Sequence, residues 1–203
     1  MIHVSILVPN SSVLLNSIVG LFKIFDLANQ HSAERGRGAA FELHLVASAS
    51  TADLYGGHFV VKPDLTLAEV AATDLAIIPA MAGNMAEAIK NNPAFVPWIK
   101  KQYLAGSEIA GLCTGALFIA DTGLIHEKRC SSHWFVDATF MKQYSQINSL
   151  AEKTAAVAAG TIHSGSGAWL FLQKLLECVA GKKPLWPAPL AFRTRLTGNA
   201  SPY

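Results

Sequence analysis

The chain has 203 residues, with sixteen Lys and Arg against fourteen Asp and Glu, so its net charge of +2 gives no electrostatic reason to bind nucleic acid. Hydrophobic residues make up 51% and charged residues only 15%, a balance typical of a sheet that is buried on both faces. No apolar run reaches the length of a membrane span, and no leader with a cleavage site precedes the first strand. Cys113, Cys130 and Cys178 are odd in number and lack metal-ligand spacing, so we expect a reduced, cytoplasmic protein without a metal or cofactor.

The first half of the chain alternates apolar runs with helical patterns. A buried strand over 2–8 is followed by a helix over 13–29, a surface loop over 31–40 and a second strand over 41–47. Residues 55–58 are predicted as a turn between short strand pieces, 63–70 as the start of a short helix, and 74–79 as the third main strand. Residues 85–105 are predicted to be helical, with a break at Pro93 and Pro97.

The second half continues the alternation. A strand ends at Cys113 and a helix follows to Gly123, then a short strand over 129–132, a helix over 134–144, strand pieces over 154–159 and 160–163, and a helix over 168–180. This order predicts a three-layer α/β/α sandwich around a mostly parallel sheet, covering residues 1–181. Residues 182–203 contain three prolines in six positions and are interpreted as a linker or C-terminal extension.

The segment around Cys113 carries the strongest functional signal. An apolar run ends at Cys113, Thr114 and Gly115 follow at once, and an apolar stretch of helical character comes next. A strand, an abrupt turn and a helix joined in this way place the thiol at the carboxyl edge of a sheet, in a strained backbone conformation. The N–H groups at the start of the helix are expected to lower the pKa of the thiol and favour the thiolate.

His133 lies twenty residues downstream and is the candidate base for Cys113, with a role in fixing the following helix as the alternative. A free cysteine is often a small buried apolar residue, but the nearby glycines and His133 favour a nucleophile here. Cys130 and Cys178 lie in apolar contexts and are interpreted as inert core thiols. His163 is interpreted as a core or rim histidine rather than a ligand.

Five motifs, in order along the chain, resemble those of a known family: DLAIIP at 74–79, GLCTGA at 111–116, ADTGL at 120–124, SSHW at 131–134 and TIHSG at 161–165. Together they resemble the ThiJ/PfpI superfamily, with its class I glutamine-amidotransferase-like fold, over roughly residues 2–180. They look most like the N-terminal domain of AraC-family transcriptional regulators. The resemblance implies a flavodoxin-like sandwich with Cys113 at a nucleophile elbow.

In that branch the domain precedes a DNA-binding helix-turn-helix domain. The resemblance therefore implies that DNA is contacted only through such a C-terminal domain, which residues 1–203 do not include, and that the tail over 182–203 is the interdomain linker. It also implies a homodimer that senses an unknown small-molecule effector, without a membrane partner.

Two features depart from the enzymes of the superfamily. Those enzymes place a carboxylate from the first helix beside the cysteine, whereas Asn16 or Ser17 stands at that place here and the first acid is Asp26. The superfamily also usually has a Gly pair after the third strand that donates N–H groups to an oxyanion. Here the sequence is PAMAG at 79–83, with one late glycine.

Two classes of function therefore stay open. The first is a ligand-sensing, dimerising regulator domain, whose pocket at the elbow is formed by Asn16, Ser17, Pro79, Gly83, Thr114, Gly115 and Trp134. The second is a cysteine enzyme of the isocyanide hydratase, deglycase or amidase kind, in which Cys113 attacks, His133 moves protons and the Thr114 N–H stabilises an oxyanion. The missing acid and the linker-like tail favour the first class.

Overall fold

The computed structural model describes residues 1–10 and 13–125 and, beyond them, 129–130, 142, 148–149, 155–158 and 162–165. Its strands are β1 (Ile2–Leu7), β2 (Phe41–Ala47), β3 (Ala52–Leu54), β4 (Phe59–Val61), β5 (Leu65–Thr66), β6 (Leu75–Ile78), β7 (Glu108–Leu112), β8 (Arg129–Cys130), β9 (Asn148–Ser149), β10 (Ala155–Ala158) and β11 (Ile162–Gly165). Its helices are α1 (Leu15–Glu34), α2 (Met85–Asn91), α3 (Phe95–Leu104) and α4 (Ala116–Asp121).

Seven of the strands form one sheet in the order β10-β11-β7-β6-β1-β2-β5. The β10–β11 pair is antiparallel and the other pairs of this sheet are parallel, as predicted. The strand order extends from β1 in opposite directions, and such crossovers are right-handed as a rule, so α1 lies on the face opposite to α3 and α4, which contact each other. Phe25 of α1 packs edge-on against Phe41 of β2, and Phe95 of α3 packs edge-on against Phe118 of α4. The predicted three-layer sandwich is confirmed.

The strand order reverses between β1 and β6. From β1 the chain proceeds through α1 to β2 on one side, whereas from β6 it proceeds through β7 to β11 on the other. In open sheets of this kind, ligands bind beyond the carboxyl ends of the strands at the point of reversal. The carboxyl ends of β1, β6 and β7 meet there, since Ile6 pairs with Ile77 and Ile78 pairs with Gly111.

Helix α1 is longer than predicted, so the surface loop expected over 31–40 is wrong for residues 31–34. The helix begins at Leu15 and ends at Glu34, and Gly36, two residues beyond its end, has a φ of 72°. The Gly36 N–H donates to Ala33 O at 2.9 Å and the Arg37 N–H to Ser32 O at 3.1 Å, which is the Schellman arrangement that ends a helix at glycine. The charged residues of this stretch therefore belong to a helix end.

The short helix predicted over 63–70 is wrong, because β5 lies there as an edge strand beside β2. The Glu69 carboxylate accepts hydrogen bonds from the Thr66 N–H at 2.7 Å and its hydroxyl at 2.8 Å, an arrangement that begins helices. However, the Leu67 carbonyl accepts the Trp98 indole N–H at 3.0 Å, so it is engaged by a distant side chain. Only a single turn forms.

The predicted helical region over 85–105 consists of α2 and α3 with Pro93 between them. Pro97 marks no break, because it is the third residue of α3, where a missing N–H leaves no helical hydrogen bond unmade. The turn at 55–58 and the strand pairs β3–β4 and β10–β11 are as predicted. Of the helix predicted over 134–144 only residue 142 is described, and it is helical; the helix predicted over 168–180 and the tail over 182–203 lie outside the described residues.

Candidate functional site at Cys113

Cys113 stands at the corner between β7 and α4. Leu112, which ends the strand, has an extended backbone, whereas Cys113 has a φ of 54°, in the left-handed region that L-residues rarely adopt. A short 3-10 turn over Cys113–Gly115 then leads directly into α4. The predicted strain at the elbow is confirmed, and the side chain of Cys113 is half-buried.

Glycines on both sides of the cysteine allow α4 to lie against the strands. A Cβ on Gly111 would lie 2.8 Å from Ala116 Cα, and a Cβ on Gly115 would lie 2.5 Å from Ile78 O and 2.6 Å from Pro79 O. Real Cβ atoms do not approach so closely, so both positions require glycine. This close contact places the sulfur of Cys113 at the carboxyl ends of β6 and β7.

Thr114 joins the elbow to the segment that follows β6. The Met81 N–H donates to Thr114 Oγ1 at 2.7 Å, and the Thr114 hydroxyl donates to Met81 O at 2.7 Å. Both side chains are buried. Because its N–H is engaged in this way, Met81 offers no free backbone donor for an oxyanion at the sulfur.

The same segment contacts the start of α1. The Ala80 carbonyl accepts the Leu14 N–H at 2.8 Å, and Val13 forms a β-bridge with Met81. The Ser17 hydroxyl donates to Leu14 O at 2.6 Å and lies 3.4 Å from Ala80 O. Of the two residues expected to replace an acid, Ser17 therefore faces the site, whereas Asn16 is exposed.

Burial raises the pKa of the Cys113 thiol above its ordinary value of 9.0. The Thr114 backbone N–H and side chain, next to the thiol in sequence, lower the pKa but do not cancel the effect of burial. Within the described residues, the prediction of a lowered pKa is therefore wrong, because the cost of charging a half-enclosed sulfur exceeds the stabilisation by the turn. The nearest acid along α1, Asp26, bonds to Lys23 and Gln30.

The remaining predicted pocket residues differ in position. Pro79 is buried beneath Gly115, whereas Gly83 is exposed, with a φ of 78°. His133 and Trp134 lie outside the described residues. Sequence reasoning missed Met81. The only signal for it was Thr114, a residue with a hydroxyl group directly after Cys113 that needs a hydrogen-bond partner when buried.

Across the described residues, His, Cys, Asp and Glu side chains form no group of three that could hold a metal ion. None of the helices described is both long and apolar enough to cross a membrane.

The doubly wound sheet, the strained cysteine and its two close-packed glycines together define an α/β sandwich protein with a nucleophile elbow. The chain belongs to the DJ-1/PfpI family, whose model matches residues 30–177. This agrees with the resemblance seen in the sequence motifs.

Solved structures of similar fold include proteins described as regulators. A candidate transcriptional regulator of Vibrio parahaemolyticus is 23% identical, with a TM-score of 0.73 over 87% of this chain and 91% of the other. An AraC family transcriptional regulator of Pseudomonas putida is 15% identical, with a TM-score of 0.72 over 97% of this chain and 100% of the other. At these identities the likeness shows the fold.

A curated relative is similar over a shorter stretch. The HTH-type transcriptional regulator CdhR of Pseudomonas aeruginosa is 32% identical over 56 residues, which are 28% of this chain and 17% of that protein. The match thus spans a small part of the relative's length.

Proposed function

We propose that the chain is the effector-sensing, self-associating domain of an AraC-type transcriptional regulator. The family includes both enzymes and regulators, so the geometry of the site has to indicate which of the two functions this chain has. Similarity to two structures described as regulators, over nearly their whole length, and to a stretch of CdhR supports the regulator. DNA contact is then the task of a helix-turn-helix partner domain.

One observation at the site carries this proposal: Met81 and Thr114 are hydrogen-bonded to each other in both directions. The site keeps a cysteine elbow, yet the Met81 N–H that could stabilise an oxyanion beside it is occupied. Ser17, in place of an acid, is the α1 side chain that reaches the same segment. Removing one oxyanion donor typically lowers turnover by about 100- to 1000-fold, so such a site is better suited to binding than to turnover.

Exposed apolar side chains support self-association. Val19 and Phe22 on α1 are 57% and 41% exposed, and Tyr55, Phe59 and Val60 on the β3–β4 hairpin are 48%, 54% and 61% exposed. The Tyr55 hydroxyl accepts the Leu15 N–H at 3.3 Å, so the hairpin reaches the first turn of α1. Val19 and Phe22 follow Leu15 by four and seven residues and so share its helix face. We call these five residues the α1–hairpin surface.

A two-fold symmetric regulator fits this surface, because reading two half-sites of an operator requires two copies of the protein. A contiguous apolar surface that a monomer would leave in water marks an interaction site. We propose a second copy of this chain as its partner.

The effector can be identified by measuring which small molecules bind to the chain. A thermal-shift screen of small metabolites is run on the wild-type chain and on Cys113→Ala in parallel. We expect at least one compound class to raise the melting temperature of the wild type, and the shift to shrink in Cys113→Ala and in Thr114→Val. A hit whose shift is equal in all three proteins binds elsewhere and would count against the elbow as the sensing site.

The second candidate function is a cysteine enzyme. The left-handed φ of Cys113 favours it, because strained backbone concentrates at catalytic residues. A turnover screen on isocyanides, dicarbonyls, amides and peptides, with Cys113→Ala as the control, separates the two functions. We expect no turnover above that of the variant, whereas robust turnover abolished by Cys113→Ala would establish the enzyme.

A further inference from the structure

Tyr55 has a backbone conformation that a tyrosine rarely adopts. Its φ is 54°, and among the described residues only Cys113 shares such a value without being a glycine. Gly56 and Gly57, with φ of 68° and 87°, continue the same left-handed turn between β3 and β4. A glycine at position 55 would make this turn without strain. The turn alone therefore does not explain the tyrosine, and strain of this kind indicates a role for the side chain.

The side chain of Tyr55 holds two parts of the molecule together. Its hydroxyl accepts the Leu15 N–H at 3.3 Å, and its ring lies edge-on to that of Phe59, with 5.8 Å between the ring centroids. Leu15 is the first residue of α1, and Leu14 before it provides no side-chain cap. The hydroxyl thus binds one of the N–H groups that a helix leaves without an internal partner at its start. The ring meanwhile contacts the first residue of β4.

The α1 side of the α1–hairpin surface suits a copy of itself in its charges as well. Val19 and Phe22 share a helix face with Lys23 and Asp26, three and four residues along. Lys23 Nζ lies 3.1 Å from Asp26 Oδ2, so the two charges balance. In a contact with two-fold symmetry the same surface meets itself, and charges of one sign would repel their counterparts. A balanced pair beside exposed apolar side chains avoids this repulsion.

We propose that Tyr55 is the positioning residue of the α1–hairpin surface. Its hydroxyl and ring hold the β3–β4 hairpin on the first turn of α1, and this fixes the two parts of the surface in the arrangement that a second copy binds. The inference rests on the proposed function, since self-association through this surface is taken from it. A surface that is already ordered loses less conformational entropy on binding, so this contact should strengthen association.

The test removes the hydroxyl alone, by Tyr55→Phe in the full 203-residue chain. Hydrogen exchange of the Leu15 amide is measured by mass spectrometry with residue resolution, on chain dilute enough to be monomeric. Ile77, which is fully buried in β6, reports global opening. Sedimentation equilibrium gives the dissociation constant of the dimer.

In Tyr55→Phe we expect Leu15 to exchange about fivefold faster and the dissociation constant to rise about fivefold, the effect of one neutral hydrogen bond. Exchange at Ile77 should change little. An unchanged dissociation constant overturns the proposal. So does a raised constant with unchanged exchange at Leu15, since the hydroxyl would then act on the partner directly. A wild type that stays monomeric at every concentration rejects the proposed self-association itself, and the proposal with it.

Tyr103→Phe is the matched control, because it removes the same atom from α3, on the opposite face of the sheet. It should change neither Leu15 exchange nor the dissociation constant. Tyr55→Gly and Tyr55→Ala form a second pair that separates folding from association. The glycine variant should be the more stable of the two in urea, because it adopts the left-handed turn without strain. Both should associate more weakly than the wild type, and a glycine variant that associates as tightly overturns the proposal.

Discussion

Gly115 lies directly against the carbonyl oxygen of Ile78, so close that a Cβ at this position would be 2.5 Å from that oxygen. The contact joins the turn after Cys113 to the end of the neighbouring strand β6. It thereby fixes the height of the sulfur above the sheet edge, and it allows Thr114 to reach Met81. The glycine is therefore a structural requirement of the site.

Gly115→Ala is expected to destabilise the fold by about 1–3 kcal/mol, because the clash is with backbone that cannot move aside freely. The matched control is Gly20→Ala in the interior of α1, where a Cβ would meet no atom within 4 Å. There alanine should stabilise by about 0.5–1 kcal/mol. Urea denaturation of both variants measures the change in the free energy of unfolding. A Gly115→Ala variant as stable as the wild type would contradict the close contact.

At position 113 we expect the glycine variant to be more stable than the alanine variant, whereas alanine is the more stable residue inside a helix. A φ of 54° costs an L-residue about 1–2 kcal/mol, whereas glycine adopts it without strain. Cys113→Gly should therefore be more stable than Cys113→Ala by about 1 kcal/mol, whereas at position 20 alanine is the more stable residue. Denaturation midpoints of the two variants decide the matter, and an alanine variant as stable as glycine would show that the elbow is relaxed.

Stability should fall at alkaline pH through Cys113. Burial raises the pKa of this thiol in the folded chain, so the unfolded chain releases its proton first as pH rises through the ordinary value of 9.0. The folded state then binds more protons, and the free energy of unfolding decreases with pH; below that value the contribution is fully present. Urea denaturation of the wild type and Cys113→Ala from pH 7 to 10 gives the free energy of unfolding of each. The difference between the two should change as pH rises, and a difference that stays constant over this range refutes the prediction.

Alkylation of Cys113 should be slow at neutral pH. Because burial raises the pKa of the thiol, the reactive thiolate is scarcer than in an unfolded chain. Iodoacetamide should therefore modify Cys113 more slowly in the native protein than in the urea-unfolded one, as measured by mass spectrometry of the labelled peptide. Faster labelling in the native state would point to a thiolate-stabilising group among the residues that are not described, His133 first among them.

Val19→Glu is expected to convert the proposed dimer to a monomer, since it places a charge in the middle of the α1–hairpin surface. Leu104→Glu is the control, because Leu104 is 73% exposed at the end of α3, away from that surface. Sedimentation velocity at micromolar concentration gives the oligomeric state. A wild type that sediments as a monomer, or a Leu104 variant that dissociates equally, contradicts the assignment.

The central parallel strands and the elbow could be predicted from the sequence because their signals are local. Continuous apolar runs gave β1, β6 and β7, and the glycines at 111 and 115 reported the close packing around Cys113. The end of α1 was predicted too early, because its charged residues suggested a loop, although Gly36 marks where the helix ends. Composition here was a weaker guide than one glycine.

Contacts between distant segments could not be predicted in this way. The helix expected after Pro63 has its starting signal in Thr66 and Glu69, yet the Trp98 indole engages the Leu67 carbonyl from 31 residues away. The thiol pKa was misjudged likewise, since the sequence shows the turn beside the sulfur but not the burial around it. The Thr114–Met81 pair joins residues 33 apart, and no periodicity reports it.

Helix α1 has no side-chain cap from Leu14, and the Leu15 N–H is bound instead by the hydroxyl of Tyr55, forty residues later. The first turn of this helix therefore gains this hydrogen bond only after Tyr55 has left the ribosome. Until then the N–H groups at the start of α1 are bound by water, and the apolar side chains beside them have no hairpin next to them. Because the α1–hairpin surface includes Tyr55, Phe59 and Val60, it is complete only once the chain has been synthesised beyond β4.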